Sequence, residues 1–250
     1  MLHHLTPADR LIIAADFKPS AGTGRAGVRS QVLRLADNLN GLGIILKVNS
    51  ALRACGYELI DEIHSRGLRV FADLKLNDIP ETLSTDGELL REANPAIVTA
   101  MCSTGEKGLL ALKEALPQTE ILGVTVLTSL TDADSHALFT CQISTAVSRL
   151  ANIAAQVGLG GLISSPDEAG TLRDKYGLLL SINTPGIRPE WALVKGDDQN
   201  PQRVMTPARA IAQGADRIVI GRPVVKADNP REAAERTLEE IATAVPSGPS

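Results

Sequence analysis

Short apolar runs alternate with longer amphipathic stretches along the whole chain. The apolar runs predict strands at Leu11–Phe17, Ile44–Val48, Arg69–Lys75, Ile97–Cys102, Ile121–Leu127, Gly161–Ser165, Leu178–Ile182 and Arg217–Gly221. The amphipathic stretches predict a helix after each strand, at Val28–Leu42, Leu52–Arg66, Pro80–Ala93, Lys107–Leu116, Ser144–Val157, Asp167–Lys175, Pro207–Gln213 and Pro230–Ala244.

Eight strand–helix pairs are the number that a (β/α)8 TIM barrel requires, so the sequence predicts one α/β domain over residues 1–250. Several strands are almost continuously apolar, as expected for a parallel sheet covered by helices. An open doubly wound sheet is the alternative, but no Gly-x-Gly-x-x-Gly turn follows the first strand. Two connections are long, the Gly-rich Lys18–Gly27 and the polar Thr184–Thr206. The second is either a lid over the site or a passive insertion.

Composition narrows the classes of function. The chain has 250 residues, of which 44% are hydrophobic, and this is enough for one large core. A net charge of -4 and 2% aromatic residues argue against nucleic acid and anionic membranes as partners. Cys55, Cys102 and Cys141 lack metal-ligand spacing and indicate free thiols in a reducing cytoplasm. No apolar run reaches the ~20 residues that span a bilayer, and the first residues do not resemble a signal peptide, so we expect a cytoplasmic protein.

The segment 71–82 carries the densest chemistry. Asp73 and Lys75 end an apolar run, and their spacing on a strand would point both side chains to one side of the sheet. Asp78 follows in the next turn. Burying such charges is costly unless they pair or take part in chemistry, so an acid–lysine–acid network is expected here.

Other polar residues stand near the predicted carboxyl ends of strands, where barrels carry their catalytic groups. They are Asp16, Lys47, Thr128, Ser165, Arg188, Gly221 and Arg222. Singly, each has a structural explanation, such as an ion pair for a lysine or a helix cap for Ser165 before a proline. Several charged groups on one rim serve no packing purpose, however, and they therefore predict a functional site.

Two arginines suggest that this site binds a phosphate. Barrels often hold phosphate with the loops after strands seven and eight, where Arg188 and Arg222 lie. The guanidinium fork suits phosphate oxygens, and Gly221 would let backbone N–H groups approach an anion. The alternative for Arg222 is an ion pair with a surface acid. The four histidines are scattered and no cysteine has a base beside it, so the sequence shows neither a metal site nor a nucleophilic triad.

The same segments resemble the orotidine 5′-phosphate decarboxylase family. The first is Asp73-x-Lys75-x-x-Asp78-Ile79-Pro80, whose Asp-x-Lys-x-x-Asp core also occurs in sugar-phosphate enzymes of the same superfamily. The resemblance continues in order in Leu46-Lys47-Val48, Val126-Leu127-Thr128-Ser129, Ser164-Ser165-Pro166, Thr184-Pro185-Gly186-Ile187-Arg188-Pro189, Arg203-Val204-Met205-Thr206-Pro207 and Ile220-Gly221-Arg222-Pro223. It covers nearly the whole chain, and the joint occurrence of these motifs makes it specific.

The resemblance implies an enzyme that converts orotidine 5′-monophosphate to uridine 5′-monophosphate and carbon dioxide. This is the last step of de novo pyrimidine synthesis, and it needs no cofactor or metal. By resemblance, Lys75 protonates C6 of the pyrimidine and Asp73 faces the departing carboxylate. Lys47 and Asp78 would hold and polarise this network.

The resemblance further implies a homodimer with shared active sites. Asp78 would reach into the partner's site, and Ile79 and Thr82 would line the shared edge. The ribose hydroxyls would contact Asp16 and Lys47, and the ribose and base would be positioned by Thr128 and Ser165. The phosphate would be held by Arg188, Gly221, Arg222 and a glutamine, for which the sequence leaves Gln199 and Gln202 open and favours Gln199.

The chain also departs from the family pattern, and two other functions stay open. Asn77 replaces an aromatic residue or histidine, Asn49 replaces a glycine, and the loop after the first strand is longer than typical. A metal-dependent sugar-phosphate decarboxylase or synthase would need a further acidic ligand, which position 49 does not supply. A non-catalytic nucleotide-binding barrel would have no need of the intact set Lys47, Asp73, Lys75 and Asp78.

Overall fold

The computed structural model describes residues 5–19, 22–192 and 205–244. Within them, eight parallel strands close into a barrel in chain order, and the last strand pairs with the first. The strands are β1 (Leu11–Ala14), β2 (Ile45–Val48), β3 (Arg69–Leu76), β4 (Ile97–Met101), β5 (Glu120–Val124), β6 (Gly161–Ile163), β7 (Ser181–Pro185) and β8 (Arg217–Ile220). The predicted (β/α)8 fold is confirmed.

Helices connect successive strands and cover the outside of the barrel. The described residues form α1 (Pro7–Arg10), α2 (Gly24–Leu39), α3 (Ser50–Cys55), α4 (Glu58–His64), α5 (Pro80–Ala93), α6 (Gly105–Ala115), α7 (Asp132–Phe139), α8 (Ile143–Val157), α9 (Pro166–Tyr176), α10 (Pro207–Ala212), α11 (Arg222–Val225) and α12 (Pro230–Ala244), with short 3-10 turns at Cys102–Thr104 and Glu190–Ala192. The predicted bounds of α5 and α12 agree with the structure. In the described part of the chain, no helix is both long and apolar enough to cross a membrane.

The strands are apolar on both faces because both faces are buried. Alternate side chains fill the barrel interior, where Ile12, Ile45, Phe71, Ile97 and Leu122 pack together. The intervening side chains face the helices and join a larger apolar cluster. A parallel sheet with helices outside and side chains inside leaves no strand face to solvent, which explains the continuous apolar runs.

The predicted seventh strand, Leu178–Ile182, was wrong in position, since β7 begins at Ser181. The apolar residues that suggested the earlier start include Leu178 and Leu179, which are 50% and 79% exposed. The strand itself carries Ser181 and Asn183, both fully buried. The hydrophobic pattern therefore predicted the strand too early in the chain, because the buried positions of the strand itself are polar.

The predicted single helix Leu52–Arg66 is two helices, α3 and α4. Gly56 separates them with a φ of 84°, a left-handed conformation that ends the first helix and favours glycine.

Other predicted bounds also shift. The first strand ends at Ala14 instead of Phe17, and the fifth ends at Val124 instead of Leu127. The predicted helix Val28–Leu42 starts at Gly24 and ends at Leu39, so the predicted loop Lys18–Gly27 is shorter than expected. His136, which the sequence pattern left unassigned, lies in α7.

A polar network fills the amino-terminal end of the barrel. The Arg217 guanidinium donates to both Glu120 carboxylate oxygens at 2.9 Å and to Asn183 Oδ1 at 3.2 Å. The Ser181 hydroxyl donates to Glu120 Oε1 at 2.8 Å. Arg217 is only 8% exposed, so its charge depends on these partners. The network lies at the end of the barrel opposite the predicted site.

Candidate functional site

A cavity of about 1460 Å³ opens at the carboxyl ends of the strands. Its walls come from β1 to β3 and β5 to β8, together with the loops that follow them. Most of the predicted site residues line it, namely Asp16, Lys47, Asp73, Lys75, Thr128, Ser165, Arg188, Gly221 and Arg222. The fold thus brings together residues from seven different βα units, as expected for groups at the carboxyl ends of barrel strands.

Lysines and carboxylates alternate across one wall of this cavity. Lys47 Nζ lies 3.2 Å from Asp16 Oδ1 and 3.0 Å from Asp73 Oδ2. Lys75 Nζ lies 2.6 Å from Asp73 Oδ1. Each contact joins opposite charges, so the chain of groups Asp16–Lys47–Asp73–Lys75 is self-compensating. We call these residues the charge array.

The centre of the charge array is buried, whereas one end is exposed. Lys47 and Asp73 are 8% and 7% exposed, whereas the Asp16 side chain is 58% exposed at the rim. Burial raises the pKa of Asp73, but the ammonium groups of Lys47 and Lys75 outweigh it and hold this pKa below its ordinary value. Asp73 is therefore an anion fixed between two cations.

Lys75 reaches the cavity through an irregular backbone. Ala72 pairs with Val98 of β4, and Leu76 pairs with Ala100. β3 therefore advances four residues over a stretch in which β4 advances only two. Lys75 sits in this bulge with a φ of 50°, in the left-handed region. Asp73 and Lys75 do face the same cavity, but the regular strand from which we predicted this is interrupted between them.

Thr99 of β4 completes the array, although the sequence argument overlooked it. The hydroxyl is fully buried and donates to Asp73 Oδ1 at 2.9 Å. It also accepts the Lys75 backbone N–H at 3.0 Å. The available signal was a lone polar residue inside the apolar strand next to β3, Ile97–Met101.

Asp78, Ile79 and Thr82 do not line the cavity of their own chain. Asp78 is exposed, and its carboxylate accepts the Ile79 N–H at 2.7 Å. Ile79 is 64% exposed, which is unusual for an isoleucine. The structure therefore separates the second acid of the motif from the other charges and leaves it at the surface beside an apolar side chain.

Two of the predicted phosphate ligands, Arg188 and Arg222, also line the cavity. Arg188 follows β7, and its backbone N–H donates to the Met205 carbonyl at 3.0 Å. Gly221 follows β8 and precedes α11, which begins at Arg222. A Cβ on Gly221 would make only ordinary van der Waals contact with Ala14, whose Cβ would lie 3.7 Å away. Gln199 and Gln202, which lie in the candidate lid, fall outside the described residues.

Two serines that follow β6 also line the cavity. Ser165 caps α9, and its N–H donates to Glu168 Oε2 at 2.9 Å, which confirms the helix-cap interpretation while the residue still lines the cavity. Its neighbour Ser164, which the sequence argument did not select, is 2% exposed and also lines the cavity. Within the described residues, the Ser164 hydroxyl has no hydrogen-bond partner. A polar ligand would satisfy it.

The described residues contain no group of three or more histidines, cysteines or acids that could hold a metal ion. The arrangement instead offers a fixed ammonium beside a buried carboxylate, and two arginines elsewhere in the same cavity. Such a site can bind an anionic ligand by one end and present Lys75 to the other.

Comparison with known proteins gives a consistent result. The sequence profile described as Orotidine 5'-phosphate decarboxylase / HUMPS family matches residues 9–237. The orotidine 5′-phosphate decarboxylase of Saccharophagus degradans is 36% identical over 95% of this chain and 97% of its own length. That of Syntrophus aciditrophicus is 38% identical over 94% of this chain and 93% of its own length.

Solved structures agree with the sequence relatives. The crystal structure of orotidine 5′-phosphate decarboxylase from Lactobacillus acidophilus superimposes with a TM-score of 0.77 at 25% identity, covering 93% of this chain and 99% of that one. The corresponding protein from Pyrococcus horikoshii gives 0.69 at 25% identity, covering 92% and 98%.

Proposed function

Because the chain belongs to the orotidine 5′-phosphate decarboxylase / HUMPS family, we propose that it decarboxylates orotidine 5′-monophosphate to uridine 5′-monophosphate and carbon dioxide. This is the last step of de novo pyrimidine synthesis, and we propose that it proceeds without a cofactor or metal. The observation that carries the proposal is the buried charge array on the wall of a cavity that also holds Arg188 and Arg222.

The chemistry requires a cation at one ring carbon. Loss of carbon dioxide leaves a carbanion at C6, and a fixed ammonium both stabilises the developing charge and delivers a proton. Lys75 takes this role because its Nζ faces the cavity while Asp73 holds it at 2.6 Å. Asp73, an anion between two lysines, would lie against the departing carboxylate, and Lys47 would keep it ionised.

We propose the remaining contacts as the resemblance to the family implies them. Arg188, Gly221, Arg222 and either Gln199 or Gln202 would hold the phosphate. The ribose hydroxyls would contact Asp16 and Lys47, and Thr128 and Ser165 would position the ribose and base. Enzymes lower barriers by ~8–23 kcal/mol, and we expect this decarboxylation to need the high end of this range, because no cofactor absorbs the charge of the carbanion. Binding energy from the phosphate and ribose would therefore have to be realised in the transition state.

We further propose that Asp78 acts in the site of a partner subunit within a homodimer. The support is its separation from the charge array of its own chain, together with the exposed Ile79 beside it. Thr82, on the first turn of α5, would lie on the same shared edge. We also propose that residues 1–250 act as one barrel domain and that the protein is cytoplasmic.

The function is tested by following the ultraviolet absorbance of orotidine 5′-monophosphate with EDTA present. We expect turnover by the wild type and by Lys107→Ala, an exposed lysine of α6, and its loss in Lys75→Ala. A folded wild type without turnover would overturn the proposal. The assay would then move to sugar phosphates with added magnesium, which the alternative function, a metal-dependent sugar-phosphate decarboxylase or synthase, would require.

The shared site is tested by mixing two inactive variants, Lys75→Ala and Asp78→Ala. In a hybrid dimer, one site would contain both an intact Lys75 and an intact Asp78 from the partner. Random exchange of subunits should then restore about a quarter of wild-type activity. No recovery, with exchange shown by tagged subunits, would contradict the proposed role of Asp78.

A further inference from the structure

Thr99 is a buried polar residue in an otherwise apolar strand. It has no exposed surface and does not line the cavity, so it cannot touch a ligand bound there. Its hydroxyl nevertheless contacts both members of the closest ion pair in the charge array, Asp73 and Lys75. A contact of this kind acts on the reacting groups and not on the substrate.

The hydroxyl fills a gap in the sheet. Regular pairing of β3 with β4 stops at Ala72 and resumes at Leu76, which leaves the intervening Lys75 N–H outside the regular ladder. The Thr99 oxygen accepts this N–H at 3.0 Å in place of a β4 carbonyl. A buried N–H without a partner is unfavourable, so this bond supports the bulge itself.

The same hydroxyl orients the carboxylate. It donates its proton to Asp73 Oδ1 at 2.9 Å, the oxygen that also accepts Lys75 Nζ at 2.6 Å. Lys47 fixes the other oxygen at 3.0 Å. Asp73 thus has partners on both oxygens, and its carboxylate plane cannot rotate without breaking one of them.

The hydrogen bond from the Lys75 N–H to Thr99 matters for catalysis because Lys75 has a left-handed backbone conformation. A non-glycine residue at a φ of 50° is held there at a cost, and relaxation would redirect its side chain. We propose that Thr99 is a positioning residue that locks this conformation and the Asp73 carboxylate together, so that the Lys75 ammonium is already aimed at the reacting carbon. The role in catalysis rests on the proposed decarboxylase function.

The test compares Thr99→Val, which keeps the shape and removes the hydroxyl, with Thr99→Ser, which keeps the hydroxyl. We expect Thr99→Val to lower kcat roughly 10- to 100-fold, because small misplacements of reacting groups have effects of this size. KM should stay within about twofold, since Thr99 lies outside the cavity. Thr99→Ser should recover most of the lost kcat.

A matched control is Thr237→Val. Thr237 is equally buried, and its hydroxyl donates to the Ala233 carbonyl at 2.8 Å within α12. This variant should keep the wild-type kcat even if its stability falls. The proposal would be overturned if Thr99→Ser were as slow as Thr99→Val, if Thr237→Val lost kcat equally, or if Thr99→Val changed only KM.

A crystal structure of Thr99→Val gives a result that does not depend on the reaction. We expect the Lys75 backbone to leave the left-handed region, or its Nζ to separate from Asp73. An unchanged Lys75 would overturn the proposal whether or not the wild type acts on orotidine 5′-monophosphate. Conversely, a displaced Lys75 in a protein without that activity would uphold the positioning role and reject only the assigned substrate.

Discussion

The network at the amino-terminal end of the barrel gives a quantitative prediction for Glu120→Ala. Arg217 is 8% exposed and depends on Glu120 for contacts from both terminal guanidinium nitrogens, at 2.9 Å each. Truncating Glu120 leaves this guanidinium buried with Asn183 as its remaining side-chain partner. Removing one partner of a buried ion pair costs about 3–5 kcal/mol.

The lower end of this range applies because the Glu120 side chain is 23% exposed, which lets water reach part of the site. We therefore expect Glu120→Ala to reduce the free energy of unfolding by about 3 kcal/mol. For a chain of this size, that corresponds to a fall in Tm of about 6–12 °C. Glu120→Gln, which keeps one acceptor oxygen, should lose roughly 1–2 kcal/mol.

Urea unfolding provides the assay, and an exposed ion pair provides the control. Arg231 and Glu235 form an i,i+4 pair at 3.0 Å, with side chains that are 46% and 47% exposed. Glu235→Ala should therefore change stability by less than about 0.5 kcal/mol. Equal losses in the two alanine variants would refute the reasoning that burial makes Arg217 dependent on its partner. Both should retain the wild-type kcat at temperatures where they are folded.

Two further predictions concern ionisation. Burial raises the pKa of Asp73, but Lys47 and Lys75 outweigh this and hold the pKa below its ordinary value of 3.8. The ionised Asp73 therefore contributes its full stabilisation above the unfolded-state pKa, and this stabilisation is lost as pH falls through the folded-state pKa. Acid unfolding of Asp73→Asn should accordingly depend less steeply on pH in this range, and a slope equal to that of the wild type would count against the assignment. Burial also raises the pKa of Cys102 to about 12. A thiol reagent should therefore label Cys55 and Cys141 in the native protein but Cys102 only after unfolding, and early labelling of Cys102 by mass spectrometry would contradict this.

The local spacing of hydrophobic residues was enough to predict the order of strands and helices, because the two kinds of element repeat their apolar positions with different periods. It failed where a strand's buried positions are polar, as in β7, where Ser181 and Asn183 belong to the network at the end of the barrel. It also failed at Gly56, where a single left-handed residue divides an amphipathic stretch into two helices. In each case the deciding interaction or conformation is invisible to a hydrophobicity count.

The sequence by itself determined the alternation of strands and helices, and hence the barrel, together with the set of charged residues at the strand ends. Tertiary structure alone decided which of those charges meet. Lys47 lies between Asp16 and Asp73, which are 31 and 26 residues away in sequence, while Asp78, only three positions from Lys75, lies outside the array. Only the pairing of β3 with β4, with its shift in register, places Thr99 beside the bulge at Lys75. The physical reason is that side-chain direction at a bulge and contacts between strands depend on sheet register, which the pairing of distant segments sets.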